Sequence, residues 1–364
     1  MGNKDRLRGK IQTVTGLIEP SSLGVTLMHE HLMVDYAKNY GLPVAESSRA
    51  TIGGLTLEQQ QHLWLQPLTL QNVGHVRSYF NQNKDNMILN DVHVMCEEMS
   101  IYKARGGSSL VECSVDGMSR NPIAMKKISE ITGVNIVMGT GFYLAGNHPP
   151  DMDHRTVELI ADTLLSEINE GVDGGICAGI IGELGCSTNL AENEIKVLKA
   201  AAIAQRETGL PISIHPGYSI ESPFQIVDIL KSEGADLSRV IIGHMDRGVI
   251  SIQAMIELAK KGCILEFDQF GWGCSMVHAL SHGMDYPSDF TRCHMIRELR
   301  DYGFLKQVVM SHDIAFKTRL VKYGGEGYEY LLKNIVPFML KRGLTQDDVN
   351  TMMIENPKRL LTVQ

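Results

Sequence analysis

The chain has 364 residues, of which 43% are apolar and 21% charged, with 42 acidic against 34 basic side chains and a net charge of −8. That composition excludes disordered, collagen-like and low-complexity chains, and the acidic balance argues against nucleic acid as the main partner. Seven scattered cysteines without a CxxC pair exclude a disulfide framework or a zinc ribbon and point to buried thiols in a reducing compartment.

The first ten residues contain no apolar segment, and Arg6 stands where a myristoylation signal needs Ser or Thr. With no apolar run near the roughly 18 residues of a membrane span, the expectation is a cytosolic chain with no membrane partner. The first strand is predicted at Val25–Val34. A long segment, residues 35–90, follows without a strong period, as an insertion over a catalytic mouth or a loop packed on a partner. Asn90–Arg105 reads as a helix stopped by Gly106–Gly107. Further strands are predicted at Ser109–Val115, Asn135–Gly141 and Ala178–Leu184. Asn189–Thr208 reads as a helix, with Asn189 a candidate N-cap and Gly209 the stop. Strands at Pro211–His215 and Val240–His244 then alternate with helices at Pro223–Ser232 and Ile252–Lys261. Cys263–Phe267 and Gln307–Ser311 complete eight strands. The tail reads as one more helix, Gln346–Ile354, stopped at Asn356–Pro357.

Eight apolar runs alternating with amphipathic stretches predict a (β/α)8 TIM barrel in the α/β class. Residues 1–364 then form one barrel domain, with a long insertion after the first strand and an extra C-terminal helix. A doubly wound open sheet is the rival, weakened because no GxGxxG follows the first strand.

Barrel chemistry sits at the C-terminal ends of strands. The first strand ends in His29-Glu30-His31, and residues two apart share a face, so both imidazoles project together while Glu30 points away. The fourth carries Glu183 between Gly182 and Leu184, a costly place for an unpaired carboxylate. The fifth and sixth end in His215 and His244, and the eighth in His312-Asp313. Taken singly, each histidine is an ordinary core residue and Asp313 an ordinary helix cap. Taken together, they form a nitrogen and oxygen donor set suited to zinc or another divalent ion. Six donors exceed one tetrahedral ion, so two ions are expected, bridged by a carboxylate such as Glu183.

The strings around these residues (Val25–Leu32, Ala178–Ser187, Ile212–Gly217, Val240–Arg247 and Val308–Ile314) resemble the phosphotriesterase family of the amidohydrolase superfamily. Gly139–Tyr143, Pro223–Ile226, His312–Tyr328 and Glu355–Lys358 extend the resemblance from about Ile11 to Leu360. It implies His29, His31 and Asp313 on a buried ion, His215 and His244 on a more exposed one, and Glu183 as the bridge. Many members bridge with a carboxylated lysine. No lysine occurs in Gly179–Ser187, so Glu183 serves without CO2. The resemblance further implies an amidase that splits N-acetyltaurine into taurine and acetate, with Asp313 and Glu183 as catalytic groups.

A small anionic acyl-amide substrate needs a cation, for which Arg247 is the first candidate and Lys317 and Arg319 the next. Tyr143, His148 and Tyr218 are candidates to bind the amide or line the pocket. Glu266 and Asp268 are candidates to orient a ligand histidine, Trp272 to cap the pocket, and Met33, Met118 and Met245 to form an apolar wall. Cys186 reads as an inert buried thiol. Lactonase or phosphotriesterase activity on the same metals is the alternative chemistry, and a non-catalytic scaffold the alternative class. The sequence leaves open whether the chain works alone or as a homodimer.

Overall fold

Eight parallel strands form one sheet in strict chain order, and the sheet curls until its last strand meets its first. They are β1 Thr26–Glu30, β2 Ser109–Glu112, β3 Asn135–Thr140, β4 Ile180–Gly185, β5 Ile212–His215, β6 Val240–Ile242, β7 Ile264–Phe267 and β8 Val308–Met310. This computed structural model describes residues 6–44, 53–247, 251–273, 276, 283 and 286–364. Gly2 and part of the insertion, residues 45–52, lie outside them. All eight predicted strands are present, and helices pack around the sheet, so the architecture is the predicted TIM barrel.

The barrel has two apolar layers. Inside it, Met28, Val111, Val137, Ile180, Ile241, Ile264 and Val309 form a small core. Ile11 and Leu23 close this core from the N-terminal side, and Leu360 and Leu361 of the last helix join them. Ile11 belongs to a short hairpin, Ile11–Thr13 paired with Gly16–Ile18. The larger core lies between strands and helices. Among the described residues, no helix is long and apolar enough to cross a membrane.

The barrel seam is closed by polar bonds. Asp313 N–H donates to His29 O at 3.2 Å, and His29 N–H donates to Ser311 Oγ at 3.0 Å. Glu30, fully buried, accepts from Ser311 Oγ, His312 N, His312 Nδ1 and Ile314 N at 2.7–3.0 Å. A residue pointing away from the barrel interior thus fastens the last strand to the first. Glu30→Ala leaves these donors buried without an acceptor, and is expected to lower unfolding free energy by about 3 kcal/mol in urea titration.

Two local expectations are corrected. The N-cap of the helix Glu192–Thr208 is Ala191, not Asn189. Glu194 Oε2 accepts the Ala191 N–H at 2.9 Å, doing the work of a capping side chain. The tail helix does not stop at Asn356–Pro357. It runs from Gln346 through a π-helical turn, Thr351–Glu355, into Asn356–Leu361. The wider turn accommodates a proline that has no N–H to donate, and Asn356 Nδ2 ties the junction to Leu305 O and Val308 O.

Within the insertion, Leu57–Leu65 and Val73–Ser78 are helical. Phe80 lies 4.3 Å from Phe316 and 5.8 Å from Trp272, ring to ring. The insertion therefore packs on the loops after β7 and β8.

Candidate metal centre and active-site cavity

The six predicted donors converge at the C-terminal end of the barrel. Local irregularities aim them. One extra residue on β4 between Ile181 and Leu184 forms a bulge, which re-aims Glu183 into the barrel. Gly182 has φ +115°, and a Cβ there would lie 2.2 Å from Ser213 O, so only glycine fits. A second bulge lies on β1 between Leu27 and Glu30. His244 and Asp313 take left-handed backbone, φ 55° and 52°, a strained conformation that clusters at functional sites.

His29 Nε2 lies 3.4 Å from Glu183 Oε2, and His31 Nε2 lies 3.4 Å from Glu183 Oε1. Asp313 Oδ1 lies 3.2 Å from His31 Nε2 and 3.8 Å from His29 Nε2. On the other side, Glu183 Oε2 lies 3.0 Å from His215 Nδ1 and 3.7 Å from His244 Nε2. The six donors fall into two groups, His29–His31–Asp313 and Glu183–His215–His244, with Glu183 touching both; His29, His244 and Asp268 form a third group close enough to hold an ion. His29 Nε2, His31 Nε2 and Glu183 Oε1 are buried and make no hydrogen bond. Such atoms are costly unless something electropositive satisfies them. Nitrogen and carboxylate donors with inward lone pairs fit a divalent cation, so these residues could hold metal.

The far side of each ring is fixed. His29 Nδ1 donates to Glu266 Oε2 at 3.1 Å and His244 Nδ1 to Asp268 Oδ1 at 2.8 Å. His31 Nδ1 donates to Ser114 Oγ at 3.0 Å, whose hydroxyl donates to Glu112 Oε1 at 2.7 Å. These bonds leave the Nε2 lone pairs facing the centre. Glu266 and Asp268 are therefore placed where the sequence put them; Ser114 and Glu112 are new.

Burial opposes the charged form of His31, but the neighbouring Asp313 and Glu183 carboxylates outweigh it and raise its pKa to about 9. Burial likewise opposes His244, and the Asp268 charge lifts it to about 9. His215 goes the other way, lowered to about 4 by burial and by neighbouring His244. Burial works to raise Asp313, yet His31, His244 and His29 hold it well below the usual carboxylate range.

A cavity of about 530 Å³ opens above this cluster. Tyr143, Tyr218 and Arg247 line it, as does Trp272. His148, Lys317 and Arg319 do not. His148 Nε2 turns to Tyr143 O at 2.8 Å. Lys317 pairs with Asp85 of the insertion at 2.6 Å. Arg319 is buried under Trp272, donating to Phe270 O at 2.7 Å. Met33, Met118 and Met245 sit in the core rather than on the cavity wall, and Cys186 is buried with its thiol pKa raised by desolvation. Arg247 does not pair with Asp246, which instead binds Arg292 Nε at 2.7 Å. It stacks 4.1 Å from the Tyr218 ring centre and donates to Pro216 O at 2.6 Å.

Sequence reasoning passed over Tyr36, Phe80, Gln269 and Tyr286, which also line the cavity. Tyr36 donates to Tyr143 OH at 3.4 Å, and Tyr143 OH lies 3.5 Å from His215 Nδ1. Burial, the charge of a neighbouring tyrosine and the Glu183 carboxylate raise the pKa of Tyr36; burial and Glu183 do so for Tyr143. A usable signal was present only for Gln269, which directly follows Asp268.

Known proteins agree with this architecture. The N-acetyltaurine hydrolases of Xenopus tropicalis and Dictyostelium discoideum are each 42% identical to the chain. Those alignments cover 98% of this chain and 99% and 98% of the two relatives. The crystal structure of a resiniferatoxin-binding protein from Rhodobacter sphaeroides superposes with a TM-score of 0.89 at 32% identity, covering 100% of this chain and 99% of that one. The profile of the phosphotriesterase family matches residues 9–361, and with the barrel and its strand-end donor set in view, the chain belongs to that family.

Proposed function

We propose that the chain is a binuclear metal-dependent amidase that cleaves N-acetyltaurine to acetate and taurine. The observation that carries this reading is the pairing of a donor cluster with a buried cation. Arg247 is 6% exposed, lines the cavity, and has no carboxylate within ion-pair distance among the described residues. A cation so placed suits a sulfonate. The two hydrolase relatives at 42% identity support the same substrate.

His29, His31 and Asp313 would hold one ion, His215 and His244 the other, and Glu183 both; the donor set suits Zn2+. When bound, such ions supply an acidified water as nucleophile and polarise the carbonyl. Asp313 takes the proton from the attacking water on its carboxylate and delivers it to the departing amine nitrogen. The neutral Tyr143 hydroxyl donates toward the amide oxygen. The Arg247 guanidinium holds the sulfonate, and stacking on Tyr218 fixes its plane. Tyr36, Phe80, Trp272 and Phe316 provide an aromatic wall that excludes water.

We read the whole chain as one barrel domain with the insertion over its mouth. The six described cysteines are all free, which supports a cytosolic setting.

The test is taurine release from N-acetyltaurine by zinc-loaded protein, beside lactones and phosphotriesters. Arg247→Ala is expected to raise KM for N-acetyltaurine by about 10- to 100-fold and leave KM for a neutral lactone unchanged. No taurine release from fully metallated protein would refute the amidase reading and favour the lactone or phosphotriester alternatives.

A further inference from the structure

Four polar contacts of one side chain meet beside Asp313, among them an approach of Gln269 Nε2 to His244 Nδ1 at 3.2 Å. Gln269 Nε2 donates to Asp313 Oδ2 at 2.8 Å and to Asp268 Oδ1 at 3.2 Å. Its Oε1 accepts the Tyr286 hydroxyl at 3.0 Å. The residue is 1% exposed, and its backbone N–H is anchored on Asp246 Oδ2 at 3.0 Å. Asp246 is in turn held by the fully buried Arg292.

An amide has a donating end and an accepting end. Reversed, Gln269 would turn its oxygen toward two carboxylates. The Tyr286 hydroxyl, donating into Oε1, favours the orientation that turns the N–H groups on them. Tyr286 is itself stacked on Trp272, ring centres 6.0 Å apart and 26° between planes. The consequence falls on Asp313. With Oδ2 occupied by Gln269, Oδ1 is the oxygen left facing His31 Nε2 at 3.2 Å.

We propose that Gln269 is a positioning residue that assigns the two Asp313 oxygens to different tasks, and that Tyr286 acts through it by fixing the amide's orientation. The inference rests on Asp313 being the proton carrier. It goes further by making turnover depend on a tyrosine that need not touch the reacting atoms.

The experiment is a double-mutant cycle on the metal-loaded full chain with N-acetyltaurine. Tyr286→Phe is expected to lower kcat about threefold to tenfold and Gln269→Leu about 10- to 100-fold, with KM moving less than about twofold. The double variant is expected to match Gln269→Leu, because the proposed route from Tyr286 to Asp313 runs through Gln269. A Tyr286→Phe loss that persists undiminished in the Gln269→Leu background overturns the proposal, as does a loss expressed in KM alone.

A second readout needs neither turnover nor metal. In protein labelled with 15N-glutamine, the Gln269 side-chain resonances are assigned by their loss in Gln269→Leu, or by their loss in Gln269→Asn if the leucine variant does not fold. One amide proton is expected downfield and slow to exchange, and to move upfield in Asp313→Asn. Its indifference to Asp313→Asn overturns the assignment. If Asp313→Asn keeps wild-type turnover, the proton-carrier reading itself has failed. If that variant is inactive while the cycle is additive, only the role of Gln269 has.

Discussion

Asp313→Asn is expected to lower kcat for amide hydrolysis by about 10³-fold while leaving metal content near the wild-type level. The carboxylate belongs to the donor cluster and, with His215, also lines the cavity. Asparagine keeps the shape and can still offer an oxygen where Oδ1 stands, but it cannot carry a proton from water to amine. Metal analysis beside steady-state kinetics separates the two roles. A variant with full metal and full kcat would remove Asp313 from the proton path. A variant without metal would make it chiefly a ligand.

Glu183→Gln carries the second large effect. Glu183 is fully buried and within 3.7 Å of four histidine rings. Burial disfavours its charge, but His29 and His215 outweigh burial and hold its pKa well below the usual range. The glutamine variant keeps the volume and removes the negative charge that both donor groups share. Metal affinity is expected to fall by more than about 100-fold, beyond the loss typical of an outer partner, and turnover with it. Competition with a chelator measures this directly. With a native carboxylate as the proposed bridge, refilling of metal-stripped protein is expected to proceed equally fast in bicarbonate-free and bicarbonate-rich buffer. A bicarbonate requirement would mean that Glu183 is not the bridge.

The strand-end donors could be read from the sequence because each interrupts an apolar run where the physics of burial asks for a reason. His29, His31, Glu183, His215 and His244 all stand out in this way, and they meet at one place. The loops were less readable. Lys317 and Arg319 follow β8 closely, but Asp85 and the Phe270 carbonyl draw them away from the cavity. Nothing in the chain order announces those partners. Tyr36 and Phe80 come from an insertion with no periodicity, so only its packing on Trp272 and Phe316 shows that they line the cavity. The tail helix ran past Pro357 because a π-helical turn absorbs the proline, a device with no distinct residue pattern.

The seam gives the barrel an order of assembly. Glu30 lies between two of the donors proposed for one ion, and the peptide groups it accepts from, His312 and Ile314, flank the third, Asp313. Closing the cylinder and completing that donor group are thus one event. A nascent chain on the ribosome already carries His29 and His31, but lacks Asp313 until nearly the whole polypeptide has emerged. An ion held by that group would therefore be bound only by a chain whose barrel has closed.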